Sequence, residues 1–123
     1  MAVQTASWVR DLFTSIDSQD TPAFLGFLAD NVSFRFGNAP VVDGKAAVGE
    51  VVSGFFKSIK SLRHEVIEYW AHPGSVVCHG EVTYTRHDAS TLTVPFANVL
   101  KLDGSLVREY IIFVDVSALY ASA

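Results

Sequence analysis

The sequence predicts an α+β fold: N-terminal helices laid over a curved antiparallel sheet, with a closed apolar cavity between the two layers. Two observations carry this. Apolar residues recur at helical spacing in three stretches before residue 60 and at strand spacing in four long segments after it, and helices first with strands after is the α+β pattern. Half of the 123 residues are apolar, which at this length suffices for a real core and predicts a single domain spanning residues 1–123.

Over Ala6–Asp17, the residues Trp8, Val9, Leu12, Phe13 and Ile16 fall on one helical face, with Arg10, Asp11 and Ser15 opposite. A second, short helix opens with Thr21 as cap and Pro22 in the first helical position. It presents Phe24, Leu25 and Leu28 and ends at Ala29-Asp30-Asn31. Val32, Phe34 and Phe36 then alternate with Ser33 and Arg35 as a strand, broken by Gly37 and Pro40. After Asp43-Gly44, the residues Val48, Val52, Phe55, Phe56 and Ile59 make a third helical stripe, weakened by Gly49 and Gly54. Four strands follow, Leu62–Ala71, Val76–Arg86, Leu92–Leu102 and Leu106–Val116. Turn residues at Pro73-Gly74, His87–Ser90 and Asp103-Gly104 separate them into a meander.

The net charge of −4 is scattered, and no basic cluster is present to neutralise phosphates, so nucleic acid is not an expected partner. Cys78 is the only cysteine, which rules out an intrachain disulfide and fits a cytoplasmic protein. Met1–Thr5 lacks the basic stretch and apolar run of a secretory signal, and no segment reaches the roughly 20 apolar residues of a membrane span. A membrane is therefore not an expected partner either.

Strand side chains alternate between faces, so parity sorts them wherever no bulge intervenes. In the segment ending at Leu102 the even residues Leu92, Val94, Phe96, Leu100 and Leu102 are apolar. The preceding segment agrees through Val76, Cys78, Val82 and Tyr84. Polar groups on this inward set are the informative ones, because burial without a partner costs about 1–3 kcal/mol. Asn98, Tyr84, Tyr110 and, at the mouth, Asn38 meet that criterion as ligand contacts. Each also has a structural reading, as a satisfied core amide or a packed core tyrosine.

In Leu62–Ala71 two registers compete. One puts Leu62, His64, Val66, Glu68 and Trp70 inside and makes His64 with Glu68 an acid/base pair in an apolar cavity. The other puts Ile67 and Tyr69 inside and leaves both groups in solvent. The last strand is apolar on both faces, with Val107, Ile111 and Phe113 opposite Leu106, Tyr110, Ile112 and Val114. Its outer face is expected to be covered by a second copy in a two-fold dimer, or else by the chain's own Leu119 and Tyr120.

His64, His72, His79 and His87 have no pair at common metal-site spacing, so no metal is expected. Gly37 to Lys45 does not make a phosphate loop, no Gly-x-Ser-x-Gly elbow exists, and Cys78 reads as core rather than nucleophile.

Taken together, the segment Phe-Leu-Ala-Asp-Asn-Val-Ser-Phe-Arg-Phe (27–36), the segment Asp-Gly-Lys-Ala-Ala-Val (43–48) and the closing Asp-Gly-Ser-Leu-Val-Arg-Glu-Tyr-Ile-Ile-Phe-Val-Asp (103–115) resemble the nuclear-transport-factor-two-like superfamily and, within it, the SnoaL-like group. The resemblance covers nearly the whole chain. It implies a cone-shaped α+β barrel around an apolar pocket, usually dimeric, in a group that includes ketosteroid isomerases, polyketide cyclases, limonene-epoxide hydrolases, dehydratases and members without catalysis. Phe36 stands where the steroid isomerases place a base. Of the tyrosine and asparagine that the epoxide hydrolases use in the following loop, only Asn38 is retained. Their arginine and two aspartates fall at about Gly80, Val82 and Ile112, none of which ionises, and a one-residue shift would instead bring Glu81 and Glu109 inside.

The expected function is therefore a small-molecule pocket for an apolar, polycyclic or terpenoid-like ligand, without a cofactor, serving isomerisation, cyclisation, dehydration or hydrolysis. The alternative is a non-catalytic binding or dimerisation module. His64 and Glu68 are the proton-transfer candidates, and Asn38, Tyr84, Asn98, Tyr110, Phe36, Val82 and Ile112 are the pocket residues.

Overall fold

A computed structural model describes residues 7–120 of the chain; the readings of Met1–Thr5 and of Ala6 as a helix start lie outside the described residues. The elements run α1 (Ser7–Asp17), α2 (Thr21–Leu25), β1 (Leu28–Phe36), β2 (Val42–Asp43), α3 (Lys45–Lys57), β3 (Ser61–His72), β4 (Ser75–Thr85), β5 (Thr91–Asp103) and β6 (Leu106–Val114). The fold is α+β, as the sequence predicts. One six-stranded sheet in the order β2-β1-β6-β5-β4-β3 is antiparallel throughout except where β1 lies parallel to β6. Among the described residues, no helix is long and apolar enough to cross a membrane.

The helices cover the concave face because their apolar stripes have nowhere else to go. Val9, Leu12 and Phe13 from α1, Phe24 from α2, and Val48, Val52 and Phe56 from α3 pack onto Phe34, Leu62, Val82, Tyr84, Phe96, Leu100 and Tyr110 of the sheet. Ser15, expected on the solvent side of α1, is buried, and its hydroxyl donates back to Leu12 O at 2.6 Å. Gly44 starts α3 at φ +94°, a backbone that side chains rarely adopt, and no side chain among the described residues caps that helix.

The structure departs from the sequence reading at four further points. Asp20, not Thr21, caps α2, its Oδ1 accepting Ala23 N–H, and Leu28 belongs to β1 because Val107 N–H donates to Phe27 O and draws the chain into the sheet. The two-residue edge strand β2, flanked by Pro40 and Gly44, is too short to leave a periodic signal. A register shift between Lys101 and Leu102 turns Val107 into the core and leaves Leu106 exposed, so Val107 is not on the outer face.

The shift that matters most lies in β3. Pairing with β4 runs unbroken from Ser61↔Thr85 to Val66↔Gly80 and resumes at Glu68↔His79, leaving Ile67 as the extra residue. Before this bulge Leu62, His64 and Val66 face inward. After it Tyr69 does, while Glu68 and Trp70 point out. The first register holds for Leu62, His64 and Val66; beyond the bulge Tyr69 faces inward as in the second, but Ile67, which that register also put inside, is exposed because it is the bulged residue.

Candidate active site

Between the helices and the sheet lies a cavity of about 150 Å3. Its wall is aromatic and aliphatic: Phe24, Phe34, Phe36, Phe55, Phe56 and Phe96 with Ile16, Val52, Leu62, Val82 and Ile112. The polar side chains on it are His64, Tyr84, Asn98 and Tyr110. Val51 and Ala39, both exposed, mark its mouth.

Of the residues picked from sequence, His64, Tyr84, Asn98, Tyr110, Phe36, Val82 and Ile112 line this cavity. Asn38 and Glu68 do not. The turn after β1, closed by Gly37 N–H to Ile112 O and Ala39 N–H to Phe36 O, presents Ala39 to the mouth and leaves Asn38 exposed. Glu68, carried outward by the bulge, bonds His79 Nε2 at 3.0 Å on the outer face, where the His79 ring stacks on Trp70. The His64–Glu68 pair is therefore not formed. Glu81 is exposed opposite Pro95 and Glu109 lies beside Lys101 on the outer side, because β4 and β5 pair without interruption there and β5 and β6 do so up to Lys101↔Glu109.

The partner of His64 is Asp17. Its Oδ1 accepts from Nδ1 at 2.6 Å, and its Oδ2 accepts the backbone N–H of His64 at 3.0 Å. The backbone bond is available because β3 is an edge strand, with N–H groups facing no neighbouring strand. A carboxylate can only accept, so Nδ1 carries a proton, and the tautomer this selects is the one whose lone pair sits on Nε2. The ring is held from both sides by Phe13 and Phe96, at centroid distances of 5.0 and 5.1 Å, and its side chain is 10 % exposed. Sequence reasoning missed Asp17. Its signal is electrostatic: Asp17 ends α1, where the helix dipole disfavours an anion, so a carboxylate there calls for a partner elsewhere.

On neighbouring strands of the same sheet, Asn98 Oδ1 and Tyr110 Oη are buried without a hydrogen-bond partner among the described residues. Asn98 is 2 % exposed and Tyr110 0 %. The Tyr110 ring is wedged between Phe24 and Phe34, at 5.6 and 5.5 Å, which fixes where its hydroxyl points. Burial pushes the Tyr110 and Tyr84 phenols well above their ordinary range, so both stay protonated and can donate.

Residues 9–110 match the model of the SnoaL-like domain. The chain belongs to this family. No curated protein matches the sequence. Among solved structures, this SnoaL-like domain superposes on a hypothetical protein with a ketosteroid isomerase-like fold from Catenulispora acidiphila, in complex with trimethylamine. The TM-score is 0.84 at 11 % identity, over 93 % of this chain and 89 % of that one. TerC, co-crystallised with polyporic acid, gives 0.78 at 15 % identity over 91 % and 92 %. An epoxide hydrolase of M. tuberculosis, like the limonene-epoxide hydrolases, gives 0.76 at 10 % identity over 88 % and 80 %. At these identities the likeness is one of fold.

The SnoaL-like cone holds a buried thiol as well. Cys78 is fully buried on β4, and burial pushes the pKa of its thiol up to about 11. Together with Tyr84 and Tyr110 it gives the fold a pH dependence of definite sign. Stability from keeping these groups neutral is fully present below the thiol's unfolded value and is lost as pH rises through the folded one. The urea midpoint is expected to fall steadily from about pH 9 to about pH 11. A flat profile over that range would show that these groups ionise as freely when folded as when unfolded.

Proposed function

We propose that this SnoaL-like domain binds a small, largely apolar molecule bearing a carbonyl or hydroxyl group and moves a proton on it. The observation that carries the reading is the Asp17–His64 pair on the wall of an apolar cavity whose lining also includes Asn98 and Tyr110, each with a buried polar atom left without a partner among the described residues. His64 Nε2 would take a proton from the ligand, with Asp17 holding the tautomer and favouring the imidazolium that results. Tyr110 Oη would donate to the ligand oxygen on which charge collects, and Asn98 Oδ1 would accept from a ligand hydroxyl. Such a transfer suits isomerisation, cyclisation or dehydration and needs no cofactor.

The volume refines the ligand. About 150 Å3 is the size of an engineered apolar cavity that takes benzene, so one ring fits where a polycyclic skeleton does not. The reading is tested by titrating the protein with phenol and with toluene by calorimetry. Phenol is expected to bind, and Tyr110→Phe to weaken phenol about tenfold while leaving toluene within about twofold, the difference a hydrogen bond is worth. Equal loss for both ligands would mean that Tyr110 is only packing.

The reading includes a two-fold dimer through the outer sheet face. Phe113 is 57 % and Trp70 51 % exposed, and Val77, Val99 and Ile111 connect them across paired strands. The described part of the C-terminal segment does not cover Phe113, since Leu119 is buried in the core and Tyr120 bonds Ser58. Glu68, Glu81, Thr83, Thr93 and Lys101 ring the apolar strip, which is the anatomy of an interface. Phe113→Glu is expected to halve the mass seen by sedimentation while leaving the far-ultraviolet dichroism unchanged. A wild-type monomer at high concentration would end this part of the reading.

A further inference from the structure

The inner cavity shares a wall with a second compartment. Phe36, Ala39 and Phe55 line both the cavity and a groove of about 380 Å3 that continues along Asn38, Val114, Asp115, Val116, Ser117 and Tyr120, so that Asn38, absent from the inner cavity, meets this second compartment. We propose that the ligand of this domain is a single ring carrying an extended, uncharged chain, with the ring in the inner cavity, the chain along this groove, and Phe55 as the partition between them. The inference rests on the inner cavity being the ligand site and adds the class of molecule it takes.

Size demands an exit for any ligand larger than one ring, and the shared wall shows where it lies. Phe55 is half-buried on α3, packed against the core, with ring contacts at 5.0 Å to Phe36, 6.3 Å to Phe56 and 5.9 Å to Tyr84. Turning such a side chain about its two torsions breaks no hydrogen bond. The far side of the groove, by contrast, is fastened. Arg86 donates from Nε to Leu119 O at 2.8 Å and from Nη2 to Ala118 O at 3.0 Å, Tyr120 Oη meets Ser58 Oγ at 2.7 Å, and Leu119 is buried. The groove is thus a formed channel with one movable wall.

Its chemistry selects the chain. Val114 and Val116 supply apolar surface, and Asp115 is the charged residue on the wall, anchored by Ser117 N–H to its Oδ1 at 2.9 Å. An alkyl chain fits this lining, and a chain ending in a carboxylate is repelled by Asp115.

Calorimetric titration of the full chain with phenol, 4-pentylphenol and 5-(4-hydroxyphenyl)pentanoate tests it. Each buried methylene is worth roughly fourfold in affinity, so a half-buried pentyl chain is expected to bind about 30-fold tighter than phenol. Val116→Asn is expected to pull that ratio towards one, and Asp115→Asn, which keeps the oxygen that Ser117 needs, to raise affinity for the carboxylate chain several-fold. Phenol that binds while the chain adds nothing, or a ratio that survives Val116→Asn, overturns the groove. Failure of phenol itself to bind overturns the cavity reading beneath it.

Discussion

Replacing Gly80 by alanine is expected to cost at least about 3 kcal/mol and to lower the urea midpoint by roughly 1–3 M. A Cβ built at Gly80 would lie 1.8 Å from Glu65 O, 2.8 Å from Glu65 C and 3.0 Å from Ile67 N. All three are backbone atoms of β3, so no rotamer change relieves the clash, and relief requires undoing the bulge at Ile67. The close approach of the two strands is what that bulge needs, and Gly80 is the residue that permits it. Because a slip of one residue exchanges the two faces of a strand, the variant is also expected to lose the Asp17–His64 bond. The His64 ring proton on Nδ1, observed by nitrogen-edited NMR, reports that loss separately from stability. An unchanged midpoint would mean that the strands separate there at no cost.

The largest effect on turnover is expected at His64. With a substrate in hand, His64→Gln should lower kcat by about 10²- to 10⁴-fold, the contribution of a positioned general base. KM should move little, because the loss falls on the transition state rather than on binding. Asp17→Asn acts through the ring. The amide offers Nδ1 a donor where it had an acceptor, which favours the tautomer with the proton on Nε2 and removes the base from the cavity. A drop of about 10²-fold or more in kcat is expected, together with a ring nitrogen spectrum showing the exchanged tautomer. The spectrum separates a positioning role from a merely structural one. Full turnover in both variants would mean that catalysis does not run through the Asp17–His64 pair.

Much of the site is legible in the sequence. Asn98, Tyr84, Tyr110, Val82 and Ile112 can be placed on the inward face by parity because β4 and β5 pair without a break from Ser75↔Lys101 to Thr85↔Thr91, and β5 and β6 from Phe96↔Val114 to Lys101↔Glu109. Parity holds wherever the ladder is continuous, since alternation is a property of the extended backbone itself. Asn38 escapes it because it lies in a turn, where no period operates and a single residue decides which side chain meets the mouth.

The sequence by itself determined the α+β order, the three amphipathic helices, the apolar cavity and most of its wall, all of which follow from local periodicity and turn chemistry. Only the tertiary structure decided which base the cavity holds and what holds it. His64 faces in and Glu68 out because β4 comes close enough at Gly80 to impose a bulge, and Asp17 reaches His64 across 47 residues because α1 ends over the free edge of β3. Neither event has a local cause. Register and long-range partners are chosen by which arrangement buries the apolar faces while leaving each backbone group a hydrogen bond, a condition that only the folded chain as a whole can meet.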